Sequence, residues 1–135
     1  MKHIRKFNES KDEKMINTIK DILIEFEDKG FETEITYETD RQRGSKEPLI
    51  KIIIDSDSLD IDIDDVDSES IFKMLFEYLE CLYELRFIRW SESLGGGSSY
   101  PLYSVGDKGY EIFHEVLKNK KLSRITLYFE KILQK

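Results

Sequence analysis

The sequence predicts an α+β fold, a two-layer sandwich in which a mostly antiparallel sheet is covered by helices on one face. Two observations lead to this prediction. The spacing of apolar residues changes along the chain between the three- to four-residue period of a helix and the two-residue period of a strand. Helices alternate with strands joined as hairpins, which favours antiparallel pairing. The predicted order is α-β-β-(β)-α-β-β-α-β in a single domain, residues 1–135.

The first helix is predicted over about residues 11–29. Ser10 is a suitable N-cap, with Glu13 three residues later, and Gly30 stands where a left-handed C-cap residue belongs. These bounds leave open a flexible N-terminus over residues 1–10. The apolar positions that share one helix face are Met15, Ile16, Ile19, Ile22, Leu23 and Phe26.

Two strands are predicted next. Residues 31–38 alternate between apolar or Thr and acidic or polar positions, as in a half-buried strand. Residues 40–48 are polar and are broken by Gly44 and Pro48, which predicts a loop. Residues 49–54 are almost continuously β-branched and apolar, as in a central strand.

Residues 55–69 form the most unusual segment, with eight carboxylates and no basic residue. Leu59, Ile61 and Ile63 alternate with aspartates, which predicts a third short strand at a solvent-facing edge of the sheet. On that basis Asp60, Asp62 and Asp64 could be replaced by Asn without loss of stability.

Two other interpretations of the acidic segment stay open. An EF-hand is excluded, because position 6 of its loop would be Asp60 or Asp65 instead of Gly. An irregular Mg²⁺ or Ca²⁺ site at Asp55, Asp57 and Asp60 remains an alternative. Alternatively, a row of aspartates about 6–7 Å apart along a strand would mimic the phosphates of DNA.

The second half predicts a helix over about 69–85, a hairpin around the glycines at 94–99, a helix from Asp107 to about Lys118 and a final element at 122–132. That final element fits both a strand and a helix face, and its β-branched and aromatic residues favour a strand. Cys81 adjoins the apolar face of the helix, so we expect it to be buried. The apolar face of this helix comprises Ile71, Met74, Leu75, Tyr78, Leu79, Leu82 and Leu85.

No catalytic signature is present, so the sequence predicts no catalytic, cofactor-binding or metal-binding residues. The glycine run 95–97 lacks the Lys of a phosphate loop, and the chain has only two histidines and one cysteine. One cysteine allows no internal disulfide, and no apolar run is long enough for a signal peptide or a membrane span. We therefore expect a cytoplasmic protein.

The net charge of −7 is unevenly distributed. Residues 1–70 carry 11 Lys and Arg against 20 Asp and Glu, whereas residues 71–135 carry 10 against 8. The acidic first half repels phosphate backbones, so nucleic acid is not the expected partner. The uneven distribution suits electrostatic pairing with another protein.

Residues 86–117 resemble the wing of winged-helix regulators. The resemblance rests on Arg-Phe-Ile-Arg-Trp, a Gly/Ser tip, Tyr-Pro-Leu-Tyr and Asp-Lys-Gly-Tyr. It implies nucleic-acid binding by a hairpin and the helix after it. A recognition helix at 69–85 would, however, be mainly acidic, the wrong sign for a DNA groove.

A second resemblance covers residues 1–38 and 123–130. The opening Met-Lys-His-Ile-Arg-Lys-Phe-Asn-Glu-Ser, the later Asp-Lys-Gly-Phe-Glu and the closing Ser-Arg-Ile-Thr-Leu-Tyr-Phe-Glu are similar to small uncharacterised proteins of tailed bacteriophages. The resemblance implies a phage origin, expression in a host bacterial cytoplasm and an α+β fold, and it implies no activity.

The function predicted from the sequence is therefore a non-enzymatic, phage-like interaction module that binds a host or phage protein. The alternatives are a winged-helix-like nucleic-acid regulator using residues 86–117 and an acidic DNA mimic using residues 55–69. The candidate interaction surface consists of Asp60, Asp62, Asp64, Asp65, Trp90, Tyr100 and Tyr103.

Overall fold

The computed structural model describes residues 2–38, 49–102 and 108–132. Within these ranges the order of elements is α-β-β-α-β-β-α-β, which confirms the predicted α+β class. The helices are α1 (Lys2–Asp28), α2 (Val66–Glu80) and α3 (Gly109–Leu117). The strands are β1 (Glu32–Glu38), β2 (Leu49–Asp55), β3 (Tyr83–Glu92), β4 (Gly97–Pro101) and β5 (Leu122–Lys131).

The five strands form one antiparallel sheet in the order β1-β2-β5-β3-β4. The last strand of the chain, β5, therefore lies in the centre, hydrogen-bonded to β2 and β3. This position confirms the strand predicted at residues 122–132. Ile125, Leu127 and Phe129 are fully buried in the core, because a two-residue period places all three on the same side of the sheet.

The helices cover one face of this sheet. Ile50, Ile52 and Ile54 of β2 join the β5 residues beneath them, and a chain of aromatic rings runs through the core. Successive ring centroids along that chain, from Phe26 through Phe72, Phe113 and Phe76 to Phe129, are 4.8–5.3 Å apart. The opposite face, hereafter the open face, has no helix over it in the described ranges. It includes Glu34, Lys51, Ile53, Arg89, Arg124, Thr126 and Tyr128.

The ends of α1 agree only partly with the sequence prediction. The helix begins at Lys2, so Ser10 lies inside the helix instead of capping it. The predicted end at Gly30 is confirmed, with a φ of 101°. The Gly30 N–H donates to Glu27 O at 3.0 Å, and the Phe31 N–H donates to Phe26 O at 3.0 Å, the two hydrogen bonds of a Schellman motif.

Helix α2 presents a different face from the predicted one. It ends at Glu80, so Leu82 and Leu85 lie beyond it, and Leu82 is 49% exposed. Met74 and Tyr78 are 53% and 40% exposed, and Phe72 and Phe76 are buried instead. The helix is rotated because two phenylalanines bury more apolar surface than Met and Tyr do. Cys81 is exposed, so its predicted burial was wrong.

The third strand predicted at residues 59–63 was also wrong. Only one isolated bridge forms there, between Ile61 and Leu122, with backbone N···O distances of 2.7 and 3.1 Å. The reason is that β2 and β3 already pair with both sides of β5 over most of its length. Beyond Ile61 the Asp64 N–H donates to Asp62 Oδ1 at 2.9 Å, a local turn that ends any strand pairing.

Candidate functional site

The acidic segment 55–69 connects the three helices. Asp65 caps α2, where its Oδ2 accepts the Ser68 N–H at 3.4 Å. Lys29, just after α1, places its Nζ 3.1 Å from Asp67 Oδ2 in the first turn of α2. Negative charge in that turn also favours the positive end of the helix dipole. Two of the eight carboxylates in this segment, Asp65 and Asp67, therefore have a structural role that a solvent-facing strand would not give them.

Asp64 makes the contacts to α3. Its Oδ2 accepts the Asn119 N–H at 2.8 Å, and its Oδ1 lies 2.9 Å from His114 Nε2. Asn119 has a φ of 63°, so the chain turns sharply there after α3. The carboxylate of Asp64 thus fixes the end of α3 against the acidic segment.

We expect Asp64→Ala to lower the free energy of unfolding by about 1–3 kcal/mol, because it leaves two hydrogen-bonding groups without their acceptor. Asp60→Ala is the matched control, since Asp60 is exposed and its side chain has no partner among the described residues. Urea unfolding of both variants measures the difference. Equal stability of the two variants would contradict the anchoring role and would support the sequence expectation that Asp60, Asp62 and Asp64 are all dispensable.

The geometry of the acidic segment supports neither of the two alternatives, a metal site or a mimic of DNA phosphates. Within the described ranges, no three His, Cys, Asp or Glu side chains come close enough together to hold a metal ion. The aspartates lie in turns and at a helix start, so they do not form the regular row along a strand that phosphate mimicry was expected to use.

The remaining residues of the predicted interaction surface are Trp90, Tyr100 and Tyr103. Trp90 is only 9% exposed and belongs to the core, so its assignment to a surface was wrong. The reason is strand alternation, which turns Arg89 to the open face and Trp90 to the helices. Tyr100 is 44% exposed on the edge strand β4, and Tyr103 lies outside the described residues.

The open face carries a cluster that sequence reasoning missed. Lys51 on β2, Arg89 on β3 and Arg124 on β5 line one concavity of about 180 Å³. Thr126 lies at its centre, opposite Arg89 across the β3–β5 pair and two residues along β5 from Arg124. Neighbouring strands are about 4.8 Å apart, so side chains of this length on β2, β3 and β5 are long enough to extend over Thr126. Lys51, Arg89 and Arg124 are hereafter the cationic cluster.

The cations of this cluster form no ion pair with any described residue, in contrast to Arg86 on the same sheet. Arg86 lies 2.9 Å from Glu130 and 3.2 Å from Glu84. Two of the three cations instead lie over aromatic rings. Lys51 Nζ is 5.7 Å from the Tyr128 ring centroid, and Arg89 Cζ is 5.6 Å from the Phe87 ring centroid. Such contacts hold the cations in place and leave their hydrogen-bond donors available.

Thr126 adds an unused polar group beneath the cluster. Its side chain is 5% exposed, and its hydroxyl has no hydrogen-bond partner among the described residues. The hydroxyl oxygen is not one of the fully buried polar atoms, so it is accessible from the concavity, where it can donate one hydrogen bond and accept others. The concavity therefore offers one hydroxyl donor and three cationic side chains to the same small volume.

Acidic residues border the cationic cluster on its β1 side. Glu32, Glu34 and Asp55 line a neighbouring concavity of about 280 Å³, which Arg124 shares. Asp55 is the cross-strand neighbour of Arg124, yet the two side chains do not form an ion pair. The open face is thus positive at its centre and negative along one side.

A second polar concavity, of about 360 Å³, lies on the helix side between α2 and α3. Burial, followed by the charges of Glu69 and Asp64, raises the pKa of Tyr110, which lines it. Its phenol therefore stays protonated at neutral pH and cannot serve as a base. The residues that line this concavity include His114, which contacts Asp64, but they include no serine, threonine or cysteine that could act as a nucleophile beside it.

Comparisons with protein-family models, with curated proteins and with solved structures find no match. In the described ranges, no helix combines the length and the apolar character that crossing a bilayer requires.

Proposed function

We propose that the protein is a non-enzymatic interaction module that binds another protein through the open face. The observation that carries this proposal is the cationic cluster. Its three cations have no carboxylate partner among the described residues, and no described helix covers their sheet face, in a chain with a net charge of −7. Charges that are unpaired within a fold are available to pair across an interface, where they determine partner choice and association rate.

The size of the concavity supports a macromolecular partner. Small-molecule sites usually have volumes of about 300–1,000 Å³ and bury most of the ligand. The 180 Å³ beside the cationic cluster falls below this range and suits one charged group of a larger molecule. A single group held there is best explained as a side chain of a larger partner that also contacts the surrounding sheet.

The geometry supports nucleic acid less well. Glu32, Glu34 and Asp55 would repel a phosphate backbone that extends beyond the cluster. Tyr128 is 8% exposed and lies under Lys51, so its ring is covered and cannot stack on a base. The β3–β4 hairpin belongs to the five-stranded sheet through β5, which differs from the projecting wing that nucleic-acid binding by residues 86–117 would need.

A triple variant tests this proposal. Lys51→Gln, Arg89→Gln and Arg124→Gln together remove the cationic cluster. Lys14→Gln, Lys20→Gln and Lys73→Gln form the matched control, because they remove the same charge from exposed helix positions. The phage-like N-terminal segment makes a bacterial lysate the appropriate source of partners. The wild type, the triple variant and the control are each immobilised and incubated with this lysate, and the lysate proteins that bind are quantified at low and high salt.

We expect a set of proteins to bind the wild type and the control but not the triple variant that lacks the cationic cluster. These proteins should dissociate as the salt concentration rises. Thermal melting of all three proteins checks that each is folded. The proposal would be refuted if the variant that lacks the cationic cluster bound the same proteins as the wild type, or if the wild type bound none.

A further inference from the structure

We infer that the concavity at the cationic cluster is a recognition site for a phosphorylated side chain of the partner protein. This inference rests on the proposed function and adds the chemical identity of the group that the open face binds. The observations that carry it are three cations and one Thr126 hydroxyl that have no polar partner in the part of the chain the structure describes, and the small volume that they share.

The charge of the site fits a phosphate monoester better than a carboxylate. A phosphorylated side chain carries about −1.5 to −2 charges at pH 7 and has three strong acceptor oxygens. A carboxylate has a single charge and two oxygens, which one arginine can satisfy alone. Lys51, Arg89 and Arg124 would leave two positive charges without a partner around a carboxylate.

The placement of the donor residues on the sheet also suits a tetrahedral group. The cations come from β2, β3 and β5, and the Thr126 hydroxyl lies below them on β5. A phosphate above Thr126 can receive hydrogen bonds from several directions at once. Clusters of arginines commonly bind phosphorylated segments, because one guanidinium group can donate hydrogen bonds to two phosphate oxygens.

The acidic border predicts the sequence around the phosphate. Glu32, Glu34 and Asp55 lie on the β1 side of the cluster and would repel further negative charge. A partner segment with basic residues beside its phosphorylated side chain would complement both regions. Nucleic acid and other polyanions would be selected against for the same reason.

Peptide titrations of the full chain provide the test. The probes are a short peptide with one phosphoserine and a lysine two residues to each side, its unphosphorylated twin, its aspartate twin, inorganic phosphate and an oligothymidine of eight nucleotides. We expect the phosphopeptide to bind at least about tenfold more tightly than every other probe, because several charge-assisted hydrogen bonds depend on the phosphate.

Variants then locate the bound group. Arg89→Gln is expected to weaken phosphopeptide binding about tenfold or more, and Thr126→Val several-fold, because each removes a donor to the phosphate. Lys20→Gln, which removes an exposed charge on α1, should change it less than about twofold. Because Arg89 is exposed, Arg89→Gln should leave the fold intact, so this variant remains informative even if Thr126→Val is unstable.

Each other outcome overturns the inference. Tighter binding of the oligonucleotide would assign the face to nucleic acid, and equal binding of inorganic phosphate would indicate a site for free anions. Equal binding of the aspartate twin would indicate an acidic partner without phosphorylation. If lysate proteins still depend on the cationic cluster while the phosphopeptide shows no preference, only this inference fails. If both experiments fail, the proposed function fails as well.

Discussion

Phe76→Ala is expected to lower the free energy of unfolding by about 3–5 kcal/mol, the usual cost of removing a buried phenylalanine ring. Phe76 is 1% exposed, and its ring contacts Tyr110 and Phe113 of α3 and Phe129 of β5, at centroid distances of 5.2–5.5 Å. Removing the Phe76 ring opens a cavity where α2 and α3 meet the sheet. Chemical denaturation with a fluorescence or circular-dichroism signal measures the loss.

Met74→Ala is the matched control for this prediction. Met74 lies on the same helix, two residues away, and is 53% exposed. Its replacement should change stability by less than about 0.5 kcal/mol, as most exposed positions do. The pair discriminates between the observed face of α2 and the face predicted from the sequence. A larger loss at Met74 than at Phe76 would mean that the helix is rotated from the position described above.

Ile63→Ala has the second largest expected effect, a loss of about 2–5 kcal/mol. Ile63 is 1% exposed although aspartates stand on both sides of it, and Ile61 is buried equally well. These two isoleucines hold the acidic segment against the core, which positions Asp64 and Asp65 for their contacts with α3 and α2. We expect unfolding by denaturant to begin at a clearly lower concentration in this variant.

Leu59→Ala provides the comparison within the same segment. Leu59 is 42% exposed, although it reaches the end of α1 near Gly30. Its truncation should therefore cost clearly less than that of Ile63. If the two variants are equally stable, the segment is not anchored by its isoleucines, and the structural role assigned to its carboxylates loses its basis.

Local patterns in the sequence predicted most of the fold. The two-residue period at 122–132 correctly favoured a strand, because a strand buried on one face repeats in this way wherever it lies in the sheet. Gly30 ended α1 as predicted, because the positive φ that this turn requires is accessible to glycine without strain. These features depend on neighbouring residues along the chain, which a sequence shows directly.

Competition between distant segments decided what the sequence could not. Asp60, Asp62 and Asp64 look alike in an alternating pattern, but only contact with α3 distinguishes Asp64 from Asp60. Trp90 looks like a surface aromatic until the register of β3 against β5 turns it inward.

Local periodicity along the chain is enough to predict the α+β class and the placement of most helices and strands. Only the tertiary structure produced the cationic cluster. Lys51, Arg89 and Arg124 are separated by more than thirty residues along the chain, and each stands alone among apolar or neutral neighbours. They meet because β5 inserts between β2 and β3, a strand order that no local pattern encodes.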